Sequence, residues 1–230
     1  MIDNLEQKMI KCCIFDLDGT LLNTLETIRY YLNRTLALHS LPSMSSEECR
    51  AYVGNGARNL VFRTLAARGV TDPEFIDRFY DEYNEAYDAA PIYLTEPYEG
   101  IIDMLRAMRE KGLEIAVLSN KPDFAVKAIV SDFFGDLISV AHGGREGVPL
   151  KPSPEPLFAL ISELGVFPDE VAYIGDSEVD VHTGIAADLP HSIAVNWGFR
   201  TTDQLVDAGA RLIFNTPDKV LEYVLWGASH

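Results

Sequence analysis

The sequence has few cysteines, no long apolar run and no sign of export. Its three cysteines, Cys12, Cys13 and Cys49, cannot all pair, and the first two lie in an apolar run, so we expect reduced core thiols. No stretch approaches the roughly 18 uninterrupted apolar residues that span a membrane. The polar opening, residues 1–11, lacks the apolar centre of a secretory signal. We therefore expect a soluble, cytoplasmic protein that makes no membrane contact.

Basic residues are also scarce, which limits the possible partners. The chain has 19 Lys and Arg against 35 Asp and Glu, giving a formal net charge of −16. This charge repels the phosphates of nucleic acids, so nucleic acid binding is not expected. A small anionic substrate stays possible if a metal ion or a few well-placed basic side chains attract it.

Repeats and low-complexity segments are absent, and what remains is an alternation of strand and helix patterns. Short apolar runs rich in branched residues predict six strands. These runs are Cys12 to Phe15, Glu114 to Leu118, Leu137 to Ala141, Val171 to Ile174, Ile193 to Val195 and Leu212 to Phe214. Helical patterns lie between several of them. This alternation predicts an α/β fold with a doubly wound, Rossmann-like parallel sheet that is covered on both faces.

Residues 23–95 contain no convincing strand pattern. Apolar residues recur there at helical spacing, as at Leu25, Ile28, Leu32 and Leu36. We therefore predict an all-helical cap domain over residues 23–95, inserted into an α/β core domain made of residues 1–22 and 96–230. The insertion follows the first strand and its loop, so it covers the strand end at which open parallel sheets bind ligands.

Two carboxylates, Asp16 and Asp18, follow the first predicted strand. Their proximity is costly unless one is protonated or a cation lies between them. Mg²⁺ prefers oxygen ligands and would remove this cost. Gly19 would permit a tight turn, and the Thr20 hydroxyl could donate to a phosphate oxygen. A pattern this short is also typical of a solvated turn.

Polar residues follow the later strands as well. Ser119 and Asn120 come after the second run, and both side chains can donate to a phosphate oxygen. Lys151 precedes a proline-rich stretch that would hold it in position. Asp176 and Asp180 follow the fourth run in an acidic loop, which could equally cap the next helix. Each of these signals also fits an ordinary turn or a solvated side chain.

Taken in order, these segments resemble the four motifs of the haloacid dehalogenase superfamily. Phe15 to Leu21 resembles its nucleophile motif, Ser119 the second, Lys151 the third and Gly175 to Asp180 the acidic fourth. The resemblance covers nearly the whole chain. It implies a doubly wound core with a helical cap inserted after the first motif, in agreement with the organisation predicted above.

The resemblance also implies a magnesium-dependent phosphatase that hydrolyses a small phosphorylated metabolite through an aspartyl-phosphate. Asp16 would be the nucleophile, and Asp18 the general acid that protonates the leaving oxygen and then activates water. Mg²⁺ would be held by Asp16, the Asp18 backbone carbonyl and Asp176, with Asp180 acting directly or through water. Ser119 and Lys151 would then balance charge on the transferring phosphoryl group.

The predicted cap holds a more specific resemblance. Tyr52 to Arg58 resembles the substrate loop of phosphoglycolate phosphatases, and Trp197 to Arg200 is also similar to that subgroup. Gly56 would let backbone N–H groups approach an anion, and Arg58 could pair with a carboxylate. Phosphoglycolate is therefore the favoured substrate. A pyrophosphatase, a sugar-phosphate phosphatase or phosphoglucomutase, and a non-enzymatic binding protein remain as alternatives, and either a monomer or a homodimer is expected.

Overall fold

A six-stranded parallel sheet organises residues 9–226, the part of the chain that this computed structural model describes. The strands of the whole described chain are β1 (Cys12–Phe15), β2 (Leu22–Asn23), β3 (Glu96–Pro97), β4 (Glu114–Pro122), β5 (Val140–Gly144), β6 (Val171–Gly175), β7 (His191–Val195) and β8 (Leu212–Phe214). The sheet order is β5-β4-β1-β6-β7-β8, and every neighbouring pair in it is parallel. β2 and β3 form a separate antiparallel pair.

Helices connect these strands and cover both faces of the sheet. They are α1 (Leu25–Leu38), α2 (Ser46–Tyr52), α3 (Ala57–Ala66), α4 (Pro73–Asp88), α5 (Ile101–Glu110), α6 (Asp123–Phe134), α7 (Glu155–Leu164), α8 (Glu178–Ala186), α9 (Thr202–Asp207) and α10 (Pro217–Trp226). Short 3₁₀ turns at Gly135–Leu137 and Pro168–Glu170 precede β5 and β6.

The central strand β1 shows why the apolar runs are continuous. Cys13 and Phe15 pack with residues of α5, α6 and α10 on one face, whereas Cys12 and Ile14 pack with α7 on the other. All four side chains are fully buried, as expected of a parallel strand covered on both sides. The predicted doubly wound α/β fold is confirmed.

Four strands differ from their predicted limits: β6 ends one residue later, at Gly175, β7 begins two residues earlier, at His191, and β4 and β5 differ more. β4 continues four residues beyond Leu118 to Pro122, with a register shift in its pairing to β5. β5 begins at Val140 because Gly135–Leu137 form a 3₁₀ turn that brings the chain to the sheet edge.

Residues 23–95 contain four helices, α1 to α4, which we call the helical block. It has a buried cluster of its own, with Leu32, Leu36, Val61, Leu65 and Phe79 inaccessible to solvent. The sequence pattern missed β2, which pairs with β3 where the chain enters and leaves the block. The domain boundaries themselves remain a prediction.

The two ends of the chain, residues 1–8 and 227–230, lie outside the described residues. The expectations that rest on them, including the absent secretory signal and the outer limits of the core domain, therefore lie there too. Within residues 9–226, no helix is both long and apolar enough to cross a membrane.

Candidate active site

The carboxyl ends of three adjacent strands, β4, β1 and β6, bring the predicted site residues together. Asp16 follows β1, Ser119 lies in the last part of β4, and Asp176 follows β6. Because these strands are parallel neighbours, their ends lie at the same edge of the sheet. The helical block also contributes to the pocket at this edge.

Three carboxylates form a compact acidic cluster at this edge. One oxygen each from Asp16, Asp176 and Asp180 lies within 4.8 Å of the others. Burial raises the pKa of Asp16 and raises that of Asp176 well above its usual range. A cluster of buried oxygen ligands with excess negative charge suits a divalent cation. These residues could therefore hold a divalent metal.

Lys151 is the cation that contacts this cluster. Its Nζ lies 2.9 Å from Asp16 Oδ1 and 2.7 Å from Asp180 Oδ1, and its side chain is almost fully buried. Burial alone would lower the pKa of this amine, but the two carboxylates raise it well above its usual range. One ammonium group thus faces three carboxylates, which leaves negative charge for a metal to neutralise.

Asp180 is held by four donated hydrogen bonds. Its Oδ1 accepts from Lys151 Nζ at 2.7 Å and from the Tyr173 hydroxyl at 2.8 Å. Its Oδ2 accepts from the Ser177 hydroxyl at 2.7 Å and the Ser177 backbone N–H at 3.2 Å. Burial opposes ionisation, but Lys151 lowers the pKa of Asp180 overall. This carboxylate therefore fixes the position of Lys151.

Asn120 contacts the backbone of Lys151. Its Nδ2 donates to the Lys151 carbonyl oxygen, and its Oδ1 accepts from the Lys151 N–H, both at 2.9 Å. The same Nδ2 reaches the Gly54 carbonyl at 3.3 Å. These two bonds orient Lys151. Asn120 also lines the pocket, and its expected contact with substrate stays a prediction. The buried Ser119 hydroxyl accepts from the Lys121 N–H at 3.2 Å and lines the pocket.

Thr20 also differs from expectation. Its hydroxyl, expected to meet a phosphate oxygen, donates to Asp176 Oδ1 at 3.1 Å. The Phe199 N–H donates to the other oxygen of Asp176 at 2.7 Å. Gly19 has φ +90°, and a Cβ there would collide with the Asp176 carboxylate. The turn after β1 is thus shaped to seat Asp176.

The pocket lies between the sheet edge and the helical block. Of the two predicted cap residues, Gly56 lines the pocket and Arg58 does not. Gly56 lines it with φ +80° at the start of α3. Arg58 does not line it: its guanidinium pairs with Asp77 and lies 5.4 Å from the centroid of the Tyr80 ring. With 63% of its side chain exposed, Arg58 does not reach the site in this structure.

Several pocket residues were missed by the sequence analysis. Lys121 Nζ lies 3.1 Å from both carboxylate oxygens of Asp18. Tyr83, Asn84 and Tyr87 enter the pocket from α4. The tyrosines continue, at intervals of four residues, the buried face of α4 that includes Phe79, so helical periodicity could have found them. The orientation of Lys121 had no comparable signal.

The fold and the carboxylate site agree with a match to a known hydrolase family. The model of the haloacid dehalogenase-like hydrolases matches residues 13–195, well over half of the chain. The chain belongs to this family, as its motifs predicted.

Curated relatives named phosphoglycolate phosphatase match most of the chain. One from Cereibacter sphaeroides is 39% identical over 178 residues, which cover 76% of this chain and 81% of the relative. One from Rhodospirillum rubrum is 32% identical over 213 residues, which cover 90% and 88%. The crystal structure of a predicted phosphoglycolate phosphatase from Haemophilus somnus has a TM-score of 0.86 at 25% identity, covering 94% of this chain and 98% of its own. The expected enzyme class, a phosphoric monoester hydrolase, is confirmed.

Proposed function

We propose that this enzyme hydrolyses 2-phosphoglycolate to glycolate and phosphate, with Mg²⁺ as cofactor and an aspartyl-phosphate on Asp16 as intermediate. The observation that carries this proposal is the pairing of Asp16 and Lys151 beside two further buried carboxylates, in a chain whose relatives carry the name phosphoglycolate phosphatase. A nucleophilic carboxylate beside a fixed cation is what phosphoryl transfer requires.

In this proposal Asp16 and Asp176 hold the metal, together with the backbone carbonyl of Asp18. The four donors on Asp180 favour contact through water for that residue. Mg²⁺, when bound, would neutralise charge on the transferring phosphoryl group. The excess of buried carboxylates over ammonium groups supports the fit.

The remaining residues would divide the chemistry between attack and proton transfer. Asp16 attacks phosphorus while Lys151 and the Ser119 hydroxyl stabilise the negative phosphoryl oxygens. Asp18, which also lines the pocket, protonates the departing glycolate oxygen and later takes a proton from the attacking water. Two carboxylates thereby carry separate nucleophilic and acid–base roles.

The pocket is lined by residues of both the sheet edge and α4, so a leaving group bound in it would contact both.

A turnover screen with purified enzyme and Mg²⁺ tests the proposed substrate. The panel contains 2-phosphoglycolate, pyrophosphate, hexose phosphates and p-nitrophenyl phosphate, with released phosphate as the readout. We expect kcat/KM for phosphoglycolate to exceed that for every other compound by about tenfold or more, a difference of about 1.4 kcal/mol in transition-state binding. A higher kcat/KM for pyrophosphate or a hexose phosphate would overturn the choice of substrate.

Asp16→Asn tests the nucleophile separately. The variant keeps the size of the side chain but removes the attacking carboxylate, so we expect turnover of every ester to fall at least about a thousandfold. An unchanged circular dichroism spectrum controls for folding. Substantial turnover by a folded Asp16→Asn enzyme would contradict the aspartyl-phosphate route.

A further inference from the structure

Lys121 lines the same pocket as Lys151. Its Nζ lies 3.1 Å from both oxygens of Asp18 and 4.7 Å from the centroid of the Tyr87 ring. Only 8% of the side chain is exposed. The residue lies in the irregular last part of β4, and it joins the sheet edge to α4. Its ammonium group therefore lies beside the proposed acid catalyst and faces the helical block.

Among the described residues, two cations line the pocket, and they have different partners. Lys151 is engaged by Asp16 and Asp180 at the proposed phosphoryl end. Lys121 contacts one carboxylate, that of Asp18. An ammonium group has three N–H donors, so Lys121 can keep Asp18 and still donate to another anion.

The hydroxyl of Tyr87 lies beside this ammonium group, which can only donate to its oxygen, and the O–H has no acceptor among the described residues. Tyr87 is 5% exposed and lines the same pocket. A buried O–H without an acceptor is costly, and a ligand oxygen would remove that cost. Burial raises the pKa of Tyr87, so the hydroxyl stays a hydrogen-bond donor at neutral pH.

We propose that Lys121 and the Tyr87 hydroxyl together bind the carboxylate of the substrate's leaving group and so select short phosphorylated hydroxy acids. This inference rests on the proposed function and names the residues that give it specificity. It reassigns to Lys121 the task that the sequence pattern gave to Arg58, which lies outside the pocket.

The distribution of charge explains why this position needs a cation. Asp88 also lines the pocket near Lys121, and its carboxylate would repel an anionic leaving group. Lys121 offsets that repulsion, and its charged hydrogen bond in a buried site is stronger than one made in water. Without it, a neutral leaving group would be preferred over a carboxylate.

Binding measured without turnover tests the inference. The Asp16→Asn enzyme with Mg²⁺ is titrated calorimetrically with 2-phosphoglycolate and with 2-hydroxyethyl phosphate, which carries CH₂OH in place of the carboxylate. We expect phosphoglycolate to bind about tenfold or more tightly than the hydroxyethyl ester. Adding Lys121→Met should raise the Kd of phosphoglycolate at least about tenfold and that of the hydroxyethyl ester less than about threefold.

Two further variants sharpen the comparison. Tyr87→Phe, added to Asp16→Asn, removes one hydroxyl and preserves the shape of the core, and it should weaken phosphoglycolate binding alone by about threefold to tenfold. Lys219→Met removes a lysine that is ion-paired with Glu222 on the exposed face of α10, and neither Kd should change. If the Lys121 variant fails to fold, Tyr87→Phe decides the question by itself.

Equal weakening of both esters by Lys121→Met and Tyr87→Phe would overturn the inference, as would equal affinity of the parent for the two esters. Either result would limit Lys121 to holding Asp18. Wild-type turnover of phosphoglycolate tests the proposed function independently. A carboxylate preference in binding without hydrolysis of phosphoglycolate would refute that function and leave the role of Lys121 supported.

Discussion

Asp176 is a buried carboxylate, and its hydrogen bonds offset only part of the free-energy cost of burying its charge. It is 1% exposed and accepts hydrogen bonds from Thr20 and Phe199, and its pKa is raised mainly by burial and then by Asp180 and Asp16. In the absence of metal, the folded protein therefore holds a proton that the unfolded chain releases near 3.8, the ordinary pKa of an aspartic acid side chain. The contribution of Asp176 to stability is thus lost as pH rises from about 4 through the raised pKa.

Asp176→Asn should consequently stabilise the protein in EDTA at neutral pH, because an amide avoids the cost of burying a charge. We expect its free energy of unfolding to exceed that of the wild type by about 1–3 kcal/mol at pH 7 and by much less at pH 4.5. Urea denaturation at the two pH values measures the difference.

Mg²⁺ should stabilise the wild type much more than it stabilises Asp176→Asn. Saturating the wild type at about a hundred times its Kd should add about 2.7 kcal/mol of stability, seen as a rise in Tm. The Asp176→Asn protein should show a much smaller rise. An equal rise in both proteins would place metal binding elsewhere.

At this scale, the sequence predicted which residues gather but not what each side chain contacts. Asp16, Asp176, Asp180 and Lys151 were found because they follow parallel strands, whose ends must meet. The contacts of Thr20 and Arg58 depend on side-chain rotamers, which a sequence pattern does not encode, so these contacts differed from expectation. The expected contact of Asn120 with substrate stays a prediction.

Among the connecting elements, the loop from Trp197 to Arg200 joins the sheet to the helical block. Trp197 Nε1 donates to the Thr20 carbonyl at 3.0 Å, and the Phe199 ring is part of the helical block's apolar cluster. The Arg200 guanidinium donates to the Arg50 and Val53 carbonyls at 2.7 and 2.9 Å and pairs with Glu178. One short loop therefore contacts the turn after β1, α2 and α8.

Arg200→Met should weaken the attachment of the loop from Trp197 to Arg200 to the helical block. The change removes a buried hydrogen bond to the Val53 carbonyl, a partly buried one to the Arg50 carbonyl and the ion pair with Glu178, so we expect the free energy of unfolding to fall by about 2–3 kcal/mol. Amide hydrogen exchange over residues 50–56 should accelerate, because the end of α2 loses its attachment. Mass spectrometry of exchanged peptides measures this effect.

Arg106→Met provides the matched control, since Arg106 is an exposed arginine paired only with Asp103 on α5 among the interactions of the described residues. Its loss should leave both stability and exchange over residues 50–56 close to wild type. Unchanged exchange in Arg200→Met would show that the remaining contacts, the apolar packing of Phe199 and the hydrogen bond from Arg50 to the Gly198 carbonyl, suffice to hold the block.

Elements were predicted well where one physical rule decides them. The apolar run of β1 lies between two helical layers and could be nothing but a buried strand. The extension of β4 to Pro122 is polar and irregular, and β2 has two residues, so neither carries a periodic signal. Both depend on pairing with a distant strand, which a local pattern does not encode.

At the scale of the whole molecule, the positions of the charged side chains explain how an acidic protein could bind an anionic substrate. The net charge of −16 is spread over the entire chain, whereas Lys121 and Lys151 are buried and line the pocket. Charges separated by more than about 8–10 Å in solvent are screened at physiological ionic strength, but buried ones are screened less. A bound phosphate would therefore be attracted mainly by these two lysines and by a metal ion that neutralises the buried carboxylates.

The β2–β3 pair has a consequence for how this architecture can vary. Asn23 and Glu96 are partners in an antiparallel ladder, so the helical block leaves and rejoins the sheet domain at points about 5 Å apart. Any insert whose two ends meet at that spacing could replace it without disturbing the strand order. Exchange of the block would then alter the range of esters accepted while the carboxylates at the sheet edge stay in place, so that selectivity and chemistry can evolve separately.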